Sequence, residues 1–141
     1  MAEAVSERAA AAARCQTIEE AYEYMLAYAA QGVGGEAGSQ AGGQIREFLT
    51  RASGALEGLA SLYRSVVGKE HLEPAPRYID FLAVLDRDAQ NALAAVHVVL
   101  AQPAISSQLV DDLNASIHLR ALLTDLFLID ELLKTATAKG Q

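Results

Sequence analysis

The apolar residues of this chain recur mostly at helical spacing, three or four positions apart. In the clearest run, the intervals between successive apolar positions alternate between four and three. Its members are Ile45, Leu49, Ala52, Leu56, Leu59, Tyr63 and Val66. A heptad pattern of this kind is typical of helices that pack almost parallel or antiparallel to one another. It predicts a helix over residues 44–67 that ends at Gly68.

Three more helices are predicted on either side of this one. The first covers residues 2–31, and Thr17 followed by Glu20 resembles a capping box that would start its regular part. The other two cover residues 76–101 and 106–137. These features predict an all-α fold, an antiparallel bundle of four main helices.

One glycine-rich segment separates the first two predicted helices. Six of the twelve residues in 32–43 are Gly, which is typical of a linker. A chain of 141 residues corresponds to one ordinary domain. We therefore expect residues 1–141 to form a single helical-bundle domain that contains this linker.

The last predicted helix has more apolar surface than a four-helix bundle can cover. Leu, Phe or Ile occurs at nearly every angle around residues 119–133, although each helix of a small bundle should leave one face to water. We therefore expect a twofold homodimer. Its predicted interface includes four residues of this helix: Leu122, Leu126, Ile129 and Leu133.

Small residues form a second pattern on the predicted second helix. Gly54, Gly58, Ser61 and Ser65 lie roughly opposite the heptad positions. A glycine inside a helix costs about 0.5–1 kcal/mol relative to Ala. A helix that tolerates this cost at two positions on one face is expected to let another backbone come close there. Gly54 and Gly58 are therefore included in the predicted interface. The alternative is that small residues are simply common in an Ala-rich chain.

The charge and composition narrow the classes of partner. The net charge is −7 and the pI is about 4.8, so nucleic acid and anionic membrane surfaces would repel the chain. Its single cysteine, Cys15, excludes an internal disulfide. The longest uncharged run, 89–110, is too polar to cross a membrane, and residues 1–15 do not resemble a secretory signal. We expect a cytoplasmic protein that neither binds nucleic acid nor inserts into membranes.

Motifs for metal and cofactor chemistry are absent from the sequence. Di-metal carboxylate bundles need Glu three positions before His, but here those positions hold Gly68, Ala94 and Ala115. The glycine-rich segment lacks Lys and follows a predicted helix, unlike a phosphate-binding loop. The sequence therefore predicts no metal and no cofactor.

One group of polar residues on the last predicted helix could carry chemistry. His118 shares a helical face with Asp111, Asn114 and Asp125. A carboxylate beside an imidazole orients the ring and raises its basicity, which is the first half of an acid–base or phosphate-accepting site. The alternative is that these residues form the solvated face of an amphipathic helix.

Arg120 is a second candidate on the same helix. It falls on the stripe of Leu113 and Phe127, which the pattern places toward the core. A buried Arg needs a carboxylate partner, so we expect an ion pair with Asp86, Asp88 or an acid of a second subunit. It could also hold an anionic ligand or extend its charged end to water.

Three functional hypotheses follow from the sequence. The first is a homodimeric, non-enzymatic protein–protein interaction module that acts as an adaptor, assembly factor or regulator. The second is a ligand- or cofactor-binding bundle with Arg120, Tyr63, Tyr78 or His97 in a cavity. The third is a phosphotransfer or acid–base protein that uses His118.

Overall fold

The computed structural model describes residues 6–32 and 40–139, and it contains six α-helices where the sequence predicts four. In chain order the helices are α1 (Glu7–Ala30), α2 (Gln40–Leu56), α3 (Leu59–Lys69), α4 (Ala75–Leu100), α5 (Ser107–Ala115) and α6 (Ile117–Lys139). No β-strand occurs in these two ranges, so this part of the chain is all-α as predicted.

The predicted second helix is two helices because the backbone turns at Gly58. This residue has φ 69°, in the left-handed region that glycine adopts without steric cost, and it separates α2 from α3. The seven heptad residues nevertheless stay buried on both sides of the break, with 0–4% exposure each. The pattern therefore predicts the core face correctly, whereas the prediction of one continuous helix is wrong.

The small-residue stripe does not bring another backbone close within the chain. A Cβ added to Gly54 would meet no atom within 4 Å, and one added to Gly58 would lie 4.0 Å from Arg14 Nη1. Ser65 instead donates a hydrogen bond to the carboxylate of Glu7. Glycine is favoured at position 58 because the chain turns there between α2 and α3.

The predicted fourth helix is also two helices, and Ser116 is the break. Its backbone is extended, with φ −63° and ψ 145°, and its side chain donates to the carbonyl oxygen of Leu113 at 2.7 Å. Two consecutive helices joined by an extended residue do not share one helical phase. Residues before and after Ser116 therefore no longer lie on the common faces that a continuous helix would give them.

The start of the first helix differs from the prediction. Ser6 caps α1 by accepting a hydrogen bond from the Ala9 amide at 3.0 Å. Thr17 lies inside α1, where its hydroxyl donates to the carbonyl oxygen of Ala13, so the prediction of a start at Thr17 is wrong. Residues 2–5 of the predicted first helix lie outside the described residues.

The predicted linker is shorter at its C-terminal end. Because α2 begins at Gln40, residues 40–43 are helical and not part of a linker. Residues 33–39 lie outside the described part of the chain.

The hydrophobic core draws residues from all six helices. Helix α1 packs on α2, α3 and α5, and helix α4 packs on α2, α3 and α6. The buried Tyr28 ties α1 to the segment before α5 by donating to the carbonyl oxygen of Ile105. Helix α6 contacts α4 on one flank and α1 on the other, which creates two seams at the protein surface.

Candidate interaction surfaces beside α6

The seam between α4 and α6 carries two adjoining depressions, of about 230 Å³ and 360 Å³. Both are lined by Tyr78 and Leu132, so they form one concave surface, the α4/α6 groove. Its other lining residues are Pro74, Arg77, Phe81 and Ile129 at one end and Glu70, His71, Leu72, Glu73, Thr135 and Ala136 at the other.

The connection from α3 to α4 shapes one end of this groove. His71 has φ 54° in the left-handed region, which turns the chain directly after α3. Leu72 is buried and anchors the connection to the core, while Pro74 precedes the first residue of α4. The connection that closes this end of the groove is therefore fixed by Leu72 in the core and by the start of α4 after Pro74.

Exposed apolar side chains extend the α4/α6 groove along both helices. Leu128 is 47% exposed and lies one turn before Leu132, and Val84 lies three residues after Phe81. Residues three or four apart are neighbours on a helix surface. Clustered exposed apolar residues beside a depression are typical of an interaction site rather than of an ordinary solvated surface.

Two carboxyl groups meet farther along the same seam. Asp125 of α6 interacts directly with Asp88 of α4, and its Oδ2 atom is buried without a donor. Burial, together with the hydrogen bond to Asp88 and the negative charge of Asp88, raises the pKa of Asp125 to about 7. Two ionised carboxylates can only accept hydrogen bonds. When one of the two is protonated, it can donate a hydrogen bond to the other.

This pair predicts a pH-dependent stability. Because the pKa of Asp125 is raised by folding, the proton stabilises the fold fully below about pH 4, and this contribution is lost as the pH rises through about 7. Asp125→Asn should therefore be more stable than wild type at about pH 8 by roughly 1–2 kcal/mol, a value reduced for partial solvent screening. Urea unfolding at about pH 5 and about pH 8 measures this difference.

The control for this prediction is Asp111→Asn, which removes an exposed carboxylate. It should leave the pH dependence of unfolding unchanged. A wild-type stability that does not fall between the two pH values would contradict a shared proton at Asp125.

The seam between α1 and α6 carries two further depressions, of about 260 Å³ and 230 Å³. The first is lined by Arg8, Ala11, Ala12, Asp130, Leu133 and Lys134, and the second by Glu19, Tyr22, Glu23, Leu123 and Phe127. Low residue numbers of α1 lie beside high numbers of α6, so the two helices run in opposite directions. We call this surface the α1/α6 groove.

A hydrogen-bonded cluster forms around Asp130, which lines the first of these depressions. Asp130 accepts from the Tyr63 hydroxyl at 2.9 Å and from the Cys15 thiol at 3.2 Å. Burial is the main reason why the pKa values of Cys15 and Tyr63 are raised, and the Asp130 charge adds to it. Both effects disfavour the thiolate, which is the nucleophilic form of cysteine.

One feature of the sequence indicates this cluster, although the hydrophobic pattern alone does not predict it. Asp130 is a charged residue inside the most apolar stretch of the chain, and such a residue needs hydrogen-bond donors when the stretch is buried. Cys15 and Tyr63 lie on the core faces of other helices, so sequence spacing could not show that they would meet Asp130.

Ionic contacts hold one end of the α1/α6 groove. The Arg8 guanidinium pairs with the Glu70 carboxylate and donates to the carbonyl oxygen of Leu133 at 3.1 Å. The hydrogen bond from Arg8 lowers the pKa of Glu70. Lys69 lies 3.3 Å from the Glu7 carboxylate. These contacts connect the start of α1 to the ends of α3 and α6.

The structure does not assemble the polar site predicted around His118. His118 and Asp111 are exposed, and no hydrogen bond or ion pair joins either to the other residues of that site in the described ranges. Asn114 is only 5% exposed, and its amide oxygen and nitrogen have no partner within the described chain. Asp125 faces Asp88. Asp111 and Asn114 lie on α5, so the break at Ser116 separates them from His118 and Asp125 on α6.

Arg120 is exposed, so the prediction that it faces the core is wrong. The same break at Ser116 explains this result, since Leu113 is buried on α5 whereas Phe127 is exposed on α6. Asp88, one of its predicted partners, interacts with Asp125 instead.

The four predicted interface residues of α6 belong to the core of a single chain. Their exposures are 0% for Leu122, Leu126 and Ile129 and 4% for Leu133, so almost none of their surface is accessible to a second subunit. Only Ile129 and Leu133 line surface depressions. The exposed apolar residues of α6 are their neighbours: Ile117, Phe127, Leu128 and Leu132. The apolar excess is present, but on other residues than predicted. Gly54, also predicted there, is exposed, and Gly58 lies in the turn before α3.

A serine–histidine contact joins α2 to α4. The Ser53 hydroxyl lies 2.9 Å from His97 Nε2, and Arg46 donates nearby to the carbonyl oxygens of Leu100 and Gln102. A nucleophile–base pair also needs a group that orients the base and donors for the developing charge. In the described chain no carboxylate is bonded to His97, so the contact supports a structural connection.

Within residues 6–32 and 40–139, no three His, Cys, Asp or Glu side chains are grouped closely enough to hold a metal ion. No helix in the same ranges has both the length and the apolar character needed to cross a bilayer. No family model, curated protein or solved structure matches the chain.

Proposed function

We propose that this chain is a non-enzymatic protein–protein interaction module that forms a homodimer and docks its partner protein in the α4/α6 groove. The observation that carries the proposal is the apolar surface of that groove. Half-buried Tyr78 and Phe81 line it beside exposed Leu128 and Leu132. Aromatic anchors inside a depression, surrounded by partly exposed aliphatic residues, are typical of the centre of a protein interface.

Polar groups at the edge of the groove favour a protein as the occupant. Arg77 lines the apolar end, and Glu70, Glu73 and Thr135 line the other end. An apolar centre with a polar rim matches the usual anatomy of a non-obligate protein interface. The groove is an open surface and is lined by residues of two helices and one connection, which suits a peptide segment or a helix of the partner.

The test is quantitative capture of proteins by the purified chain from an extract of its own source cells. Leu132→Glu places a charge in the groove and should reduce retention of specifically bound proteins roughly tenfold or more, because the charge would be buried without a partner. Gln90→Glu is the matched control, since it adds the same charge at an exposed position of α4. It should retain the same proteins as wild type.

Equal retention by Leu132→Glu and Gln90→Glu would refute the α4/α6 groove as the partner site. A small molecule that copurifies with wild type but not with Leu132→Glu would support the ligand-binding hypothesis in place of the protein-binding one.

A further inference from the structure

Asp88 and Asp125, here called the acidic pair, have no charged neighbour on their own helices. Residues three or four positions away lie beside each of them. These neighbours are Val84, Leu85, Asn91 and Ala92 on α4 and Ala121, Leu122, Leu128 and Ile129 on α6. Two ionised carboxylates repel each other and cannot form a hydrogen bond, so the contact between the pair requires a proton.

No cation from another helix offsets the charge of the acidic pair. The charge that acts on Asp125 comes from Asp88. The nearest other titratable groups of the helices packed on α6 make no hydrogen bond or ion pair with Asp125 in the described ranges. They are Asp86 and Arg87 on α4, Glu19, Tyr22 and Glu23 on α1, and Asp111 and Asp112 on α5. On α6 itself, His118 and Arg120 are exposed and lie more than one turn away.

The two halves of α6 are held to the bundle in different ways. In the second half, Asp130 accepts a hydrogen bond from Tyr63 of α3, and the carbonyl oxygen of Leu133 accepts one from Arg8 of α1. Among the described residues, the acidic pair is the only polar contact that joins residues 117–129 to another helix. Apart from apolar packing, the first half therefore depends on the acidic pair.

The first half of α6 also begins at a break in the chain. Ser116 is extended and separates α6 from α5, so movement of the start of α6 does not have to distort a continuous helix. Residues 117–126 are too few to form a stable helix in water without packing, because isolated helices shorter than about 12–15 residues are marginal. This half can therefore open while the second half stays in place.

We propose that the acidic pair is a proton-dependent latch: while it holds a proton it keeps the first half of α6 on α4, and loss of the proton allows residues 117–126 to separate from the bundle. The inference goes beyond the proposed function, because neither a partner protein nor a second copy takes part. Ile129 and Leu132 line the α4/α6 groove and belong to the part that stays in place. Separation would therefore open the groove at one end.

The direction of the pH effect follows from the two states of the latch. Once the two carboxyl groups are apart and solvated, each has its ordinary acidity and releases its proton. Opening is therefore promoted as the pH rises above about 4, and the effect levels off above about pH 7, where the closed pair has lost its proton as well.

The experiment is native-state hydrogen exchange of the whole chain, followed by mass spectrometry with exchange times scaled to the intrinsic rate at each pH. The opening equilibrium of residues 119–126 should rise roughly tenfold or more between about pH 5 and about pH 8. A local opening exposes little surface, so this exchange should depend only weakly on added urea. Residues 130–137 are the reference within the same helix and should keep the steeper urea dependence of a larger unfolding.

Two variants identify the titrating group. Asp125→Asn can still donate a hydrogen bond to Asp88 but has no proton to lose, so opening of residues 119–126 should stay within about threefold between the two pH values. Asp111→Asn removes an exposed carboxylate of α5 and should open like wild type.

Two results in the wild-type chain would overturn the inference, whether or not a variant folds. One is exchange of residues 119–126 only through complete unfolding at both pH values, which would confine any pH effect to global stability. The other is a local opening that does not change with pH. An unchanged pH dependence in Asp125→Asn would also refute the latch. None of these results concerns the partner site, which is tested separately by Leu132→Glu.

Discussion

Leu126→Ala should lower the free energy of unfolding by about 2–5 kcal/mol, while Leu128→Ala should lower it by less than about 1 kcal/mol. The same atoms are removed two positions apart on α6, but Leu126 is completely buried and Leu128 is 47% exposed. Truncation of Leu126 leaves a cavity in the core, whereas truncation of Leu128 removes side-chain atoms that are largely in water. Urea unfolding of both variants measures the difference, with the same dependence of the free energy of unfolding on urea concentration used for both.

This comparison decides which apolar residues of α6 hold the single chain together. An interface role for Leu126 would leave the monomer intact after truncation and weaken only the dimer. Equal losses of stability in the two variants, measured at concentrations where the chain is monomeric, would contradict the orientation of α6.

The heptad spacing of residues 45–66 predicted a core face correctly, and the physical reason is local. The alternation of four and three depends only on the helical period, and all seven residues are buried. The turn at Gly58 does not disturb this prediction because the left-handed residue lies between Leu56 and Leu59, which both remain in the core.

Helical periodicity gave a wrong prediction across Ser116, because a stripe of residues stays on one face only while the helix is continuous. A stripe projected from Leu113 through the break assigns Arg120 and Phe127 to the core, and both are exposed. Serine is a mild helix former whose side chain bonds readily to nearby backbone, so the residue type alone does not mark a break. At this break the chain passes from α5, which packs mainly on α1, to α6, which packs mainly on α4.

The candidate surfaces were less predictable than the core, since they depend on which helices adjoin. The apolar excess of α6 was visible in the sequence. Which of its residues α1 and α4 cover is a tertiary property, and it decides that Leu126 is core while Phe127 and Leu128 are exposed. The meeting of Asp125 with Asp88 and of Asp130 with Tyr63 is likewise fixed by packing between helices.

Asp130→Ala should lower the free energy of unfolding by about 2–3 kcal/mol, because it leaves two buried donors without their acceptor. The Tyr63 hydroxyl and the Cys15 thiol both bond to this carboxylate, and both residues are almost fully buried. Tyr63→Phe removes one donor and keeps the ring, so it should cost only about 1 kcal/mol. Chemical denaturation of the monomer gives both values.

The double variant separates the hydrogen bond from the packing of the individual side chains. If the Tyr63–Asp130 bond is formed in solution, Asp130→Ala with Tyr63→Phe should be less destabilising than the sum of the single variants, by about 0.5–2 kcal/mol. Strict additivity would show that the two groups do not interact. A coupled pair means that α3 and α6 are fixed to each other beside the α1/α6 groove, which Asp130 lines.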